Sequence, residues 1–162
     1  MPNFPEMVIS RFGFLAAHGY RHEVKGDGRV QYWGPQAIIE LYCGGRGEVD
    51  LVLDQNPPKH RFQLRLFLMA FFPDEEKQLG ECIASNDDEV GVALDKLASV
   101  LQRCGARLVA GDRDLFDHMA TVKWWELPGY KMERKTVPSS QSRADARTTD
   151  RIQPDRDQRT LF

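Results

Sequence analysis

Cysteine is scarce in this chain. Its three residues, Cys43, Cys82 and Cys104, lie far apart and form no CxxC pair. An odd, scattered set excludes a disulfide framework and suits a reducing compartment, where thiols act as small hydrophobes. Long apolar runs are missing as well. No stretch approaches the ~18 residues of a membrane span, so no membrane partner is expected. The opening Met1-Pro2-Asn3-Phe4-Pro5-Glu6 puts no basic stretch ahead of an apolar run. That pattern argues against a secretory signal, and the expected location is cytoplasmic. A positive excess is absent too. Residues 1–130 hold 14 Lys and Arg against 19 Asp and Glu, a balance of −5 within a net charge of −2. Such a domain repels the phosphates that dominate nucleic-acid affinity, so it is not expected to bind nucleic acid directly. A basic protein partner fits it better.

Composition changes near residue 131. From Lys131 to Arg159 there is almost no apolar content, and Ser139, Ser140, Gln141, Ser142, Thr148 and Thr149 sit among scattered Arg and Asp. Residues 131–162 carry 8 Lys and Arg against 5 Asp and Glu, a balance of +3. This composition cannot offset the entropy of ordering a backbone, so a disordered tail is expected. The expected organisation is a domain over 1–130, of ordinary size for one core, and a polar tail over 131–162.

Within the domain the hydrophobic period changes twice. Asn3 and Glu6 have capping-box spacing, Val8, Phe12 and Leu15 share a helical face, and Gly19 suits a C-cap; this predicts a helix over 4–18. Short runs at 20–25, 29–33, 37–43 and 48–53 are rich in aromatic and β-branched residues. Gly26-Asp27-Gly28, Gly34-Pro35 and Gly44-Gly45-Arg46-Gly47 separate them as turn signals. In the last run Val49, Leu51 and Leu53 alternate with Glu48, Asp50 and Val52, which suits a sheet with one wet face. Connections this short predict a four-stranded antiparallel meander, ended by Asn56-Pro57-Pro58.

Residues 61–72 fit either period. Phe62, Leu64, Leu66 and Leu68 alternate, yet Leu and Met favour helix and no residue there is β-branched; a buried helix is the preferred reading. Pro73-Asp74-Glu75-Glu76 starts a short helix reaching about residue 83. Helix 87–104 is the clearest. Ser85 or Asn86 caps it, three acids load its first turn, and Val90, Leu94, Leu97, Leu101 and Cys104 line one face. Asp112 caps a last helix over 113–123, and Trp124-Trp125 closes the domain. The expected fold is α+β, with about four to five helices packed on the meander.

No constellation spells out a reaction. His18 and His22 have a metal-pair spacing that Gly19 breaks, and His60 and His118 stand alone. The glycine clusters lack the Lys-Ser/Thr of a phosphate loop and separate strands. Gly111-Asp112-Arg113-Asp114 reads as a turn and cap. No catalytic residue, metal or cofactor is therefore expected. Cys43, beside a glycine turn, is the one candidate nucleophile, and structural thiols are the favoured reading. Trp124 and Trp125 are expected to pin the last helix to the core.

The final residues Gln158-Arg159-Thr160-Leu161-Phe162 resemble the short peptide by which bacterial proteins dock on the DNA polymerase sliding clamp. The resemblance assigns the pocket-rim hydrogen bond to Gln158 and the cleft-filling side chains to Leu161 and Phe162; Arg159 stands where an aliphatic residue is common. The layout of the domain, with Leu94 to Phe116 as its clearest stretch, resembles small bacterial α+β proteins, some of them toxin-immunity proteins. That second resemblance implies a protein-binding role.

These readings converge on a non-enzymatic protein-binding module, of immunity type by the second resemblance, with Asp27, Trp33, Tyr42, Glu48 and Asp50 as the expected partner surface. A replication or repair accessory held on the sliding clamp through Gln158, Leu161 and Phe162 is the alternative. A small enzyme using Cys43 is the third.

Overall fold

The structure, a computed structural model, describes residues 3–128 and Tyr130. The expected tail and its terminal Gln158, Leu161 and Phe162 lie outside the described residues.

The fold is α+β. A short helix α1 (Phe4–Arg11) runs into a 3-10 segment, Gly13–His18. Five antiparallel strands follow: β1 (Arg21–Val24), β2 (Arg29–Trp33), β3 (Ala37–Cys43), β4 (Val49–Gln55) and β5 (Phe62–Gln63). They lie in the sheet in chain order, each paired with the next. Then come α2 (Leu64–Phe71), α3 (Pro73–Leu79), α4 (Asp87–Cys104), α5 (Ala106–Val109), α6 (Arg113–Thr121) and a 3-10 turn at Trp124–Glu126.

Local chemistry accounts for most of the boundaries. Asn86 accepts a hydrogen bond from the Glu89 amide at 3.0 Å, and Asp112 accepts one from the Leu115 amide at 3.2 Å, each satisfying a donor in a helical first turn. Gly19 ends the first helical stretch in the left-handed region at φ 83°. Asn3 departs from the expected capping box, since its side chain makes no cap hydrogen bond. The expected single helix over 4–18 is broken at Phe12, where the backbone tightens to 3-10 geometry. Val8, Phe12 and Leu15 are nevertheless all fully buried.

The meander has five strands rather than four, because residues 61–72 use both of their periods in succession. Phe62 and Gln63 pair with Leu53 and Val52, so β4 gains a partner beyond the Asn56-Pro57-Pro58 break. Gln63 is still extended, at ψ 146°, and the helix begins at the next residue. Opposite this, the Cys82–Ala84 segment seals the start of β4: the Val49 amide donates to the Cys82 carbonyl and the Ala84 amide to the Gly47 carbonyl. Gly47, at φ 82°, lies so close to the Ala84 backbone that a Cβ there would collide with its carbonyl.

One core sits between the sheet and the helices. Val30, Tyr32, Ile39, Leu41, Leu51, Leu53 and Phe62 project to the same side and join buried residues from all six helices. On α4 these are Val90, Leu94, Leu97 and Leu101, the repeat at three- and four-residue steps. Phe116 of α6 packs against Phe62, ring centres 5.2 Å apart and planes inclined at 54°. Trp124 packs against this core, whereas Trp125 is 62% exposed and does not pin the last helix.

Candidate functional site

Alternation along the strands sends a second set of side chains to the opposite, outer face of the sheet. Strand register arranges them in rows. Trp33, Ile38 and Asp54 form the first; Gln31, Glu40, Val52 and Gln63 the second; Arg29, Tyr42 and Asp50 the third. Ile38 and Val52 are buried yet stand outside the core cluster that takes in the helices. This face was expected to be wet. Its centre is instead covered by its own long polar side chains.

Glu40 organises that cover. Its residue is only 3% exposed. Arg61 Nη2 donates to Oε1 at 2.8 Å, Gln31 Nε2 donates to Oε2 at 2.9 Å, and Arg29 Nε lies 3.6 Å from Oε1. A buried carboxylate needs such partners, since its desolvation is otherwise large. The two arginines keep about half of their side chains in solvent, so one buried anion holds two guanidinium groups on the surface.

Beyond Arg29, which leans to Glu40, the third row is acidic and aromatic. Tyr42 and Asp50 face each other across β3 and β4, and the Tyr42 hydroxyl donates to Asp50 Oδ2 at 3.4 Å. Asp50 Oδ1 accepts from the Leu51 amide at 2.7 Å. Burial pushes the Asp50 carboxyl above its ordinary value, partly offset by that amide and by the charge of Arg65. Burial and the neighbouring Asp50 push the Tyr42 phenol up. Arg65 itself is engaged elsewhere, by Glu76 at 2.7 Å and the Gly80 carbonyl at 2.5 Å.

The five domain residues expected at a partner surface divide into two places. Tyr42 and Asp50 touch. Asp27 and Glu48 are exposed on the β1–β2 and β3–β4 turns, which adjoin at the same end of the sheet through the Cys43 amide and the Gly28 carbonyl. Trp33, 38% exposed, is on the same face but at the far end of β2, about 13 Å away by strand rise. Among the described residues none of Asp27, Glu48 and Asp50 has a cation within ion-pair distance.

Sequence reading missed Glu40, Arg29, Arg61 and Gln31. Glu40 had a signal, being a lone carboxylate inside the apolar run Ala37-Ile38-Ile39-Glu40-Leu41. Its arginines had none, because Arg61 lies 21 residues away and meets it only through the fifth strand.

The remaining candidates are placed apart. Cys43 is half-buried, and burial together with the Glu48 charge pushes its thiol up, away from the thiolate that nucleophilic attack needs. His22 packs on Tyr32, His60 faces Asp117 at 3.4 Å, and His118 packs on Phe71. Among the described residues no group of three or more His, Cys, Asp or Glu side chains is disposed to hold a metal ion. No helix there is long and apolar enough to cross a membrane.

No protein-family model matches the chain, and comparison with curated proteins and with solved structures finds no match.

Proposed function

We propose that this protein is a non-enzymatic binding module that docks a basic protein partner on the outer face of its sheet. The observation that carries the reading is the acidic end of that face. Asp27, Glu48 and Asp50 lie at that end with Tyr42 and, among the described residues, have no cation within ion-pair distance, while Glu40 a row away is paired with Arg61, Arg29 and Gln31. Partner cations would complete these carboxylates. Tyr42 and the distant Trp33 supply the amphipathic aromatic area that binding hot spots favour. An immunity-type role, neutralising a basic partner, is the form of this reading that the resemblance of the domain suggests.

The test is affinity capture from the native cell extract with the full chain, followed by measured binding of the captured partner. Charge reversal by Asp50→Lys with Glu48→Lys should abolish capture of that partner, and added salt should weaken the intact pair. A partner held equally by the reversed variant, at any salt, overturns the reading.

The terminal Gln158, Leu161 and Phe162 support a second reading, a replication or repair accessory docked on the sliding clamp. A peptide of residues 150–162 should bind purified clamp, and Leu161→Ala with Phe162→Ala should abolish it. Failure of the unaltered peptide removes this reading.

A further inference from the structure

Two polar residues are buried in the described fold, and they are treated differently. Glu40 is saturated by Arg61, Gln31 and Arg29. Gln55, at the end of β4 and 8% exposed, has an amide with no hydrogen-bond partner among the described residues. The only fully enclosed side-chain polar atom without a partner among those residues is the Tyr32 hydroxyl. Gln55 lines a space open to solvent. That space is a cleft of about 370 Å³, lined by Gln55, Asn56, Pro57, Lys59, Arg113 and Asp117 among others. Its size falls within the range of small-ligand sites.

The polar groups of the cleft are not interchangeable. Asp117 is engaged by Lys59 at 3.5 Å and by His60 at 3.4 Å. Asn56 Nδ2 donates to the Gly34 carbonyl at 2.7 Å, which leaves its side-chain oxygen as an acceptor. Arg113 is exposed and has no carboxylate within ion-pair distance among the described residues. It is also the first residue of α6, a helix of nine residues whose positive end adds to its charge. With Asp117 set against Lys59, the cleft retains one net positive charge, on a planar fork suited to a carboxylate. Beside that fork lies a buried amide that can both donate and accept.

We infer that this cleft binds a carboxylate that stands next to an amide group, the chemistry shared by an N-acylated amino acid and a peptide C-terminus. Arg113 takes the carboxylate, and Gln55 pairs with the adjacent amide. The site is separate from the proposed partner surface. Asp50 and Gln55 are at opposite ends of β4, about 17 Å apart by strand rise.

The test uses the full chain, labelled with nitrogen-15, and follows the side-chain NH₂ of Gln55 and the Nε–H of Arg113 by NMR. The probes are N-acetylalanine, acetyl-trialanine, N-acetylalanine amide and inorganic phosphate. Both acids should move both resonances saturably at millimolar concentration, and the amide should not. Arg113→Gln, a change at an exposed position, should weaken the acids by about tenfold or more while the rest of the spectrum keeps its pattern. Acetyl-trialanine binding about tenfold tighter than N-acetylalanine supports a chain end as the natural ligand, and equal affinities support a small acid. Still resonances at about 20 mM acid, equal response to the amide, tighter binding of phosphate, or unaltered affinity in Arg113→Gln would each overturn the inference.

Discussion

The two faces of the one sheet solve burial in different ways. On the inner face Val30, Tyr32, Ile39, Leu41, Leu51 and Leu53 are covered by helices, and what holds them is close apolar contact. On the outer face Ile38 and Val52 are as dry, but Glu40 and its arginines belong to the cover. An apolar lid excludes water by shape and tolerates no loss of volume. A lid of long charged side chains excludes it by stems and ion pairs, and keeps its heads in solvent where another molecule can meet them. The inner face is thus committed to stability, while the outer face combines stability with the recognition proposed for it.

The largest break of that contrast should come on the inner side. Phe116→Ala removes a fully buried ring packed against Phe62 and should cost about 3–5 kcal/mol, read as a fall in the denaturant midpoint. Next is the outer lid. Glu40→Ala leaves Arg29 and Arg61 without their carboxylate, but both are half exposed and regain water, so about 1–2 kcal/mol is expected. Glu40→Leu should cost less, since it removes the buried charge yet keeps volume beside Val52. A loss as large as that of Phe116→Ala would show that the lid is core in all but name.

Trp33→Ala should separate the two duties of the outer face. At 38% exposure its removal should lower stability by less than about 1 kcal/mol while weakening partner binding about tenfold. The smallest effect concerns Asp50. Its folded carboxyl is raised by burial, so folding favours the protonated form. The resulting stability is full below the ordinary carboxylate value and is lost as pH rises through the raised one. Asp50→Asn, whose amide oxygen can still accept from Leu51, should therefore gain stability at neutral pH. That gain should vanish below about pH 4, and a variant less stable than the parent at pH 7 would contradict it.

Legibility in the sequence followed the range of the interactions. Helix α4 was readable because cap, dipole-matched acids and apolar repeat all lie within its own 18 residues. Strands β2 and β3 were readable because glycine turns bound them. The register that sets Tyr42 against Asp50 follows from the next hairpin, β3–β4, whose turn is Gly44-Gly45-Arg46-Gly47, and both had been expected at the partner surface. Residues 61–72 were not separable by pattern, since Phe62 and Gln63 are extended only because β4 offers an unpaired edge. The Glu40 cluster joins four residues from two strands and the approach to a third, and nothing local announces their meeting.

From its own periodicities and caps the chain determined an α+β fold, an antiparallel meander and the main helix, because those depend on neighbours within a few residues. Tertiary structure alone decided that a fifth strand forms, that a lone carboxylate in an apolar run becomes the hub of the outer face, and that Gln55 lines a cleft. Each of those outcomes is a contact between segments that no local period or cap links, such as Phe62 with Leu53 across the proline break or Arg61 with Glu40, and sequence pattern carries no register across such a gap.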